Sequence, residues 1–262
     1  MSPTDADAYF GSPDLFTPQY DEVHISVAFT WDKPKVGQLV CEWAKFGEVK
    51  IGGPAYNDIG GEFVCGRYTK PGVTITSRGC PNNCSFCFVP KREGKIRELS
   101  IVAGNIIQDN NLTACSETHK DNVFNMLKTQ KGVVFQGGVE SARVDDRFVD
   151  RLRSISMKEV WLAYDHENAD KPLRRAVEKL SKYFKRDKIR CYVLIGYEND
   201  TIEKADVRLR KAWEIGTLPF AMRYRTPEEK WGGTYLYPER KWNLFQREWT
   251  KPAIIKSKLA LT

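Results

Sequence analysis

The chain has 262 residues, 41% of them apolar, and 41 basic against 34 acidic side chains give it a net charge of +7. That suits one large domain, or a core with small additions, and a polyanionic partner, although many cytosolic enzymes carry as much charge. The lack of an apolar run of eighteen residues, the polar and acidic start at Met1–Phe10 and an odd count of seven cysteines exclude a membrane span, a signal peptide and a disulfide framework, and point to a cytoplasmic protein.

Residues 1–20 hold three prolines among Asp, Ser and Thr and read as a loosely ordered arm. Val23 to Phe29 alternates like a strand. Val36, Leu39, Val40 and Trp43 then recur on one helical face that Gly47 stops, and Val49 to Ile51 forms a second strand. His24, lacking motif partners, reads as a packed strand histidine. From Val73 onward, strand-like runs fall at Val73–Thr76, Ile101–Gln108, Val133–Gln136, Val160–Tyr164, Cys191–Ile195 and Pro219–Tyr224, with helical patterns between most of them. Each repeat takes roughly thirty residues, the size of a strand-plus-helix unit, so the series predicts parallel strands joined by crossovers. Binding residues then belong at the carboxyl ends of the strands.

The first of these strands runs into Cys80-Pro81-Asn82-Asn83-Cys84-Ser85-Phe86-Cys87. Three thiolates this close can converge on one inorganic group, and on a four-iron cubane they leave one iron for a ligand that is not protein. The alternative is a structural zinc site completed by Cys115 or His119, but no second C-x2-C pair exists. Cys41 and Cys191 lie in apolar patterns and read as core.

The C-x3-C-x2-C spacing, with an aromatic before the last cysteine, resembles the signature of the radical S-adenosylmethionine (SAM) enzymes. The resemblance covers Val73 to Arg225 and implies an α/β fold with a partial (β/α)6 barrel. It also implies a [4Fe-4S] cluster held by Cys80, Cys84 and Cys87, with SAM on the fourth iron and an electron donor such as flavodoxin or ferredoxin. In that family a 5′-deoxyadenosyl radical takes a hydrogen atom from substrate, and the protein orients and shields the cofactors. Carried onto this sequence, the likeness puts Phe86 against adenine, and Asp109 and Asn110 near the SAM ammonium. Gln136, Glu140 and Arg143 fall beside the amino-acid end of SAM, Asp165 on the ribose, and Gly196 and Tyr197 beside adenine. Arg223 and Arg225 fall on the substrate side, on one face by strand alternation, and His166 reads either as a substrate-side acid or as an exposed residue. The preceding strand-helix-strand looks like a shortened cobalamin-binding domain of one branch, but the D-x-H-x-x-G motif is missing and the unit reads as a cap.

Beyond Thr226, Trp231, Trp242, Phe245 and Trp249 interleave with lysine and arginine. They read as core aromatics closing the open barrel, with stacking on nucleic-acid bases as the alternative. The sequence thus divides into a cap at 1–72, a core at 73–225 and a basic, aromatic extension at 226–262. Its reading is a radical SAM enzyme acting on a nucleic-acid base or nucleotide. The alternatives are a peptide or small metabolite as substrate, and a metal-stabilised nucleic-acid-binding module without catalysis.

Overall fold

The strand-and-helix rhythm that begins at Val73 folds into one six-stranded sheet, in a computed structural model that describes residues 7–58, 64–66, 69–225 and 237–260. Its strands are β3 (Val73–Thr74), β6 (Ile106–Ile107), β7 (Val133–Phe135), β8 (Met157–Tyr164), β9 (Ile189–Ile195) and β10 (Leu218–Arg223). They lie side by side in sequence order, and every pairing between them is parallel. Parallel neighbours need a crossover, and four helices supply one each: α3 (Glu117–Leu127), α4 (Asp146–Arg153), α5 (Asp170–Ser181) and α6 (Ile202–Ile215). Three of them start on side-chain caps: the Ser116 hydroxyl accepts from the His119 N–H at 3.1 Å, the Asp145 carboxylate from the Phe148 N–H at 2.7 Å and the Thr201 hydroxyl from the Lys204 N–H at 3.3 Å. Between β3 and β6 the crossover is instead the cysteine loop, with one helical turn, α2 (Val89–Arg92), and two short antiparallel strands, β4 (Ser77–Arg78) and β5 (Arg97–Glu98).

Alternation along β8 and β9 sends Val160, Leu162, Tyr164, Cys191, Val193 and Ile195 to one face, where they are buried with Leu173, Val177 and Leu180 of α5 and Leu209 of α6. Two further helices, α7 (Tyr237–Glu248) and α8 (Pro252–Ala260), complete this unit. Among the C-terminal aromatics, Trp249 is fully buried and Phe245 nearly so, both within the main core, while Trp231 lies outside the described residues. The end of α7 also covers the free edge of β10. The Ala221 N–H donates to the Trp249 carbonyl at 3.1 Å, and the Gln246 amide donates to the Ala221 carbonyl at 3.1 Å.

A separate compact unit, reaching to Thr69, contains β1 (Glu22–Ser26), α1 (Lys33–Trp43) and β2 (Glu48–Gly52), with β1 and β2 parallel. Val27, Val36 and Ala55 form its small core. His24 corrects the sequence expectation: it lies on β1, but its side chain is exposed and meets the Glu22 carboxylate at 3.0 Å.

Candidate functional site

The cysteine loop is held at its stem by polar groups that the sequence alone does not connect. Thr76 and Ser77 follow β3, and the Asp109 carboxylate, 3% exposed, accepts from the Thr76 N–H and hydroxyl, each at 2.6 Å, and from the Ser77 hydroxyl at 2.9 Å. Burial raises the Asp109 pKa against the opposing pull of these donors. Asn110 accepts from the Gly79 N–H at 2.9 Å, and the Cys80 N–H donates to the Gly94 carbonyl at 3.1 Å. Gly79 has a φ of +84°, and a side chain there would run into the Lys95 carbonyl, so this crossing of the β4–β5 clasp needs glycine.

Above this stem Cys80, Cys84 and Cys87 are free, half-buried thiols, and the Cys87 N–H closes a turn onto the Cys84 carbonyl at 3.0 Å. The Asn111 amide donates to the Cys80 sulfur at 3.4 Å and to Glu140 Oε2 at 2.9 Å, and the same oxygen accepts from Arg143 Nε at 2.9 Å. Desolvation pushes the Cys84 thiol up, and so do the charges of Cys87, Asp165, Cys80 and Glu140, in that order. The ends of β3, β7 and β8 therefore share one electrostatic neighbourhood. Asp165 accepts from the Leu194 backbone N–H, yet burial pushes its pKa up from 3.8 to about 6.

The ends of β9 and β10 join through aromatic rings. Phe86 meets Tyr197 edge-on at 5.8 Å, and Tyr197 meets Tyr224 at 4.8 Å. Gly196, at φ +74°, donates its N–H to Asp200 at 2.8 Å. Arg208 pairs with Asp200 at 2.7 Å and also donates to the Leu194 carbonyl at 2.9 Å, which fixes the turn. A side chain on Gly196 would touch the Trp242 ring.

The structure thus brings together the three cysteines, Glu140 with Arg143, Asp165, and Phe86 with Tyr197. Asp109 and Asn110 serve the loop's stem. Gln136 is exposed and accepts from the Gln108 amide at 2.8 Å, and His166 is exposed. Arg223 and Arg225 do share a side, as alternation requires, and both donate to the side-chain amide oxygen of Asn243 on α7, at 2.6 and 3.2 Å. That is the side of β10 to which Ala221 points, opposite Phe220 and Met222. Thr76 and the Asp200–Arg208 pair are contributors that sequence reasoning passed over, because short polar residues after a strand read equally well as turn formers and a helix arginine reads as a surface charge.

Three thiols in one loop, with an amide donor on one of them, are a donor set suited to an iron-sulfur cluster. Cys115, the candidate fourth zinc ligand, is buried with its thiol towards the Asn111 carbonyl at 3.9 Å, and burial pushes its pKa up to about 11. His119 is buried with Nδ1 at 3.9 Å from Glu98. Among the described residues no group of three or more His, Cys, Asp or Glu is arranged around a single metal ion. No protein-family model matches the chain, and no curated protein matches it.

Proposed function

We propose that the chain is a radical SAM enzyme, with Cys80, Cys84 and Cys87 as the three protein ligands of a [4Fe-4S] cluster and SAM as the ligand of the fourth iron. One observation carries the reading: a C-x3-C-x2-C loop leaves the first strand of a parallel sheet whose six strands follow in sequence order, and side chains from the ends of later strands gather on it. The reading carries with it a sheet curled into a partial barrel, with Phe86 of the cysteine loop meeting Tyr197 after the fifth strand.

When bound, the two cofactors supply one-electron cleavage of SAM and hydrogen-atom abstraction from substrate. The chain's own groups orient and shield them. Arg143, steadied by Glu140, offers a charged fork to the carboxylate of SAM. Asp165 would take the ribose hydroxyls, Phe86 and Tyr197 would wall the adenine, and the Asp200–Arg208 pair holds the Gly196 turn beside Tyr197. The substrate in this reading is a nucleic-acid base or nucleotide, supported by the net charge of +7. A flavodoxin or ferredoxin serves as electron donor.

Anaerobic purification with iron and sulfide tests the proposal. The expected product is a brown protein with about four irons per chain, which converts SAM to 5′-deoxyadenosine under a strong reductant. A colourless protein that binds zinc instead overturns it.

A further inference from the structure

The face of the sheet opposite α5 and α6 carries a second feature. Trp161 of β8 stands level with Arg190 of β9, and Tyr192 stands level with Ala163 on one side and Phe220 of β10 on the other. The three rings form a half-buried cluster: Trp161 and Tyr192 stack at 4.3 Å, and Phe220 meets them edge-on at 5.6 and 5.8 Å. Arg190 lies over the Trp161 ring at 4.6 Å and is 5% exposed. None of its five N–H donors finds a hydrogen-bond acceptor among the described residues, no carboxylate pairs with it, and its Nε is sealed from solvent. Glu159 and Asp187 act on it only through their fields, and Glu159 is held by the Trp161 indole N–H at 3.0 Å.

Only the Nε is sealed, so the two Nη groups still reach solvent, but a largely desolvated guanidinium without a protein acceptor is costly. The contact with Trp161 offsets part of that cost but satisfies no N–H. The open Nη groups are therefore prepared for an anion that the described residues do not provide. This face leads to the cysteine loop: by alternation Trp161, Ala163 and Asp165 point the same way, and four residues of strand cover about 13 Å.

We propose that this face is a binding site for a flat ring bearing one anionic group, with the ring packed on the Trp161–Tyr192–Phe220 cluster and the anion received by Arg190. The site gives the chemical class of the substrate, and only that identification of the ligand as substrate rests on the enzyme reading. A nucleotide phosphate and an aromatic carboxylate both have this chemistry.

The test is calorimetric titration of the iron-reconstituted full chain with uridine 5′-monophosphate and with indole-3-carboxylate. A pyrimidine probe avoids the adenosine pocket proposed for SAM. At least one of the two should bind one-to-one at about millimolar or tighter, and whichever binds identifies the source. Uridine or indole, lacking the anion, should bind about tenfold more weakly or worse, and Arg190→Met should weaken the anionic probe about tenfold or more. Arg190→Lys should recover part of that loss. Because Arg190→Met replaces a buried charge that has no acceptor among the described residues with an apolar side chain that can keep packing on Trp161, its melting temperature should equal or exceed that of the wild type. Failure of both probes to bind, wild-type affinity in Arg190→Met, or a variant that melts early or does not fold would each overturn the proposal. Iron content and substrate-free SAM cleavage are measured on the same samples. Their absence, with probe binding still sensitive to Arg190, removes the radical reading and leaves this site standing.

Discussion

The two faces of the central sheet are built from alternate residues of the same strands and are packed in opposite ways. Towards the helices, Val160, Leu162, Tyr164, Cys191, Val193 and Ile195 are sealed into one core. Towards the other side Leu194 and Leu218 are buried, but Trp161, Tyr192 and Phe220 are half-buried, Met222 is exposed, and Arg190 is buried with no hydrogen-bond acceptor among the described residues. A face that served stability alone would not retain such a charge, since hydrophobic groups of similar volume pack as well or better. The contrast separates the part of the unit that holds it together from the part left incomplete. The cysteine loop, at the carboxyl ends of the same strands, belongs with the incomplete part.

Cysteines on the two sides give the sharpest way to break this contrast. Alanine at Cys80, Cys84 or Cys87 should abolish iron binding and SAM cleavage together, since each is one of three protein ligands in the proposed cluster. Cys191→Ala, in the sealed face, should keep full iron content and lose only stability. Iron analysis of the four variants decides between them, and full iron in any variant of the loop would remove the cluster from it.

Packing gives the next effect in size. Leu162→Ala opens a cavity in the sealed face and should cost about 2–5 kcal/mol in urea unfolding. Met222→Ala on the opposite face should stay within about 0.5 kcal/mol of wild type. Comparable losses in both would mean that the two faces are packed alike.

Much of this division was legible in the sequence. The six strand positions and the cysteine loop could be read because apolar runs and ligand spacing are local signals. Strand lengths were less so. The first strand, expected to reach Thr76, pairs only to Thr74, because the Thr76 N–H goes to the Asp109 carboxylate. The second, expected from Ile101, pairs only at Ile106–Ile107, since the Val102 carbonyl is taken by the Thr74 hydroxyl at 2.7 Å. The β4–β5 clasp is polar and two residues long, too short for any alternation to register. Phe245 and Trp249 read as core in a closing tail, and the structure buries both, Phe245 on α7 and Trp249 just past its end. Arg190 directly precedes the apolar run Cys191–Ile195, and nothing local in the sequence marks it. Its burial depends on the ring that β8 sets beside it, and that information lies in the register between strands.

A pH dependence sharpens the contrast further. Asp165 ionises at 3.8 in the reference state and at about 6 when folded. Between those values the folded chain keeps a proton that the unfolded chain has lost, so its contribution to stability falls as pH rises from about 4 to about 6 and then levels off. Without added iron, wild type and Asp165→Asn should therefore diverge across this window by up to about 2 kcal/mol, with the variant relatively more stable at the higher pH. Parallel stability curves would mean that the carboxyl is not desolvated.

The smallest effect belongs to Arg143. Its ion pair with Glu140 is half-exposed, and pairs of that kind contribute about 0–1 kcal/mol, so Arg143→Ala should barely move the unfolding midpoint. Glu140 keeps a second donor, the Asn111 amide that also reaches the Cys80 sulfur, so the loop geometry and iron content should survive. What the substitution removes is the charged fork facing the proposed SAM carboxylate, and loss of one charge-assisted contact corresponds to roughly tenfold weaker SAM binding. Equilibrium dialysis with SAM, beside iron analysis and urea unfolding of the same sample, separates these outcomes. Wild-type SAM affinity would leave Arg143 as a surface partner of Glu140, and a loss of iron would make the pair part of the loop's support.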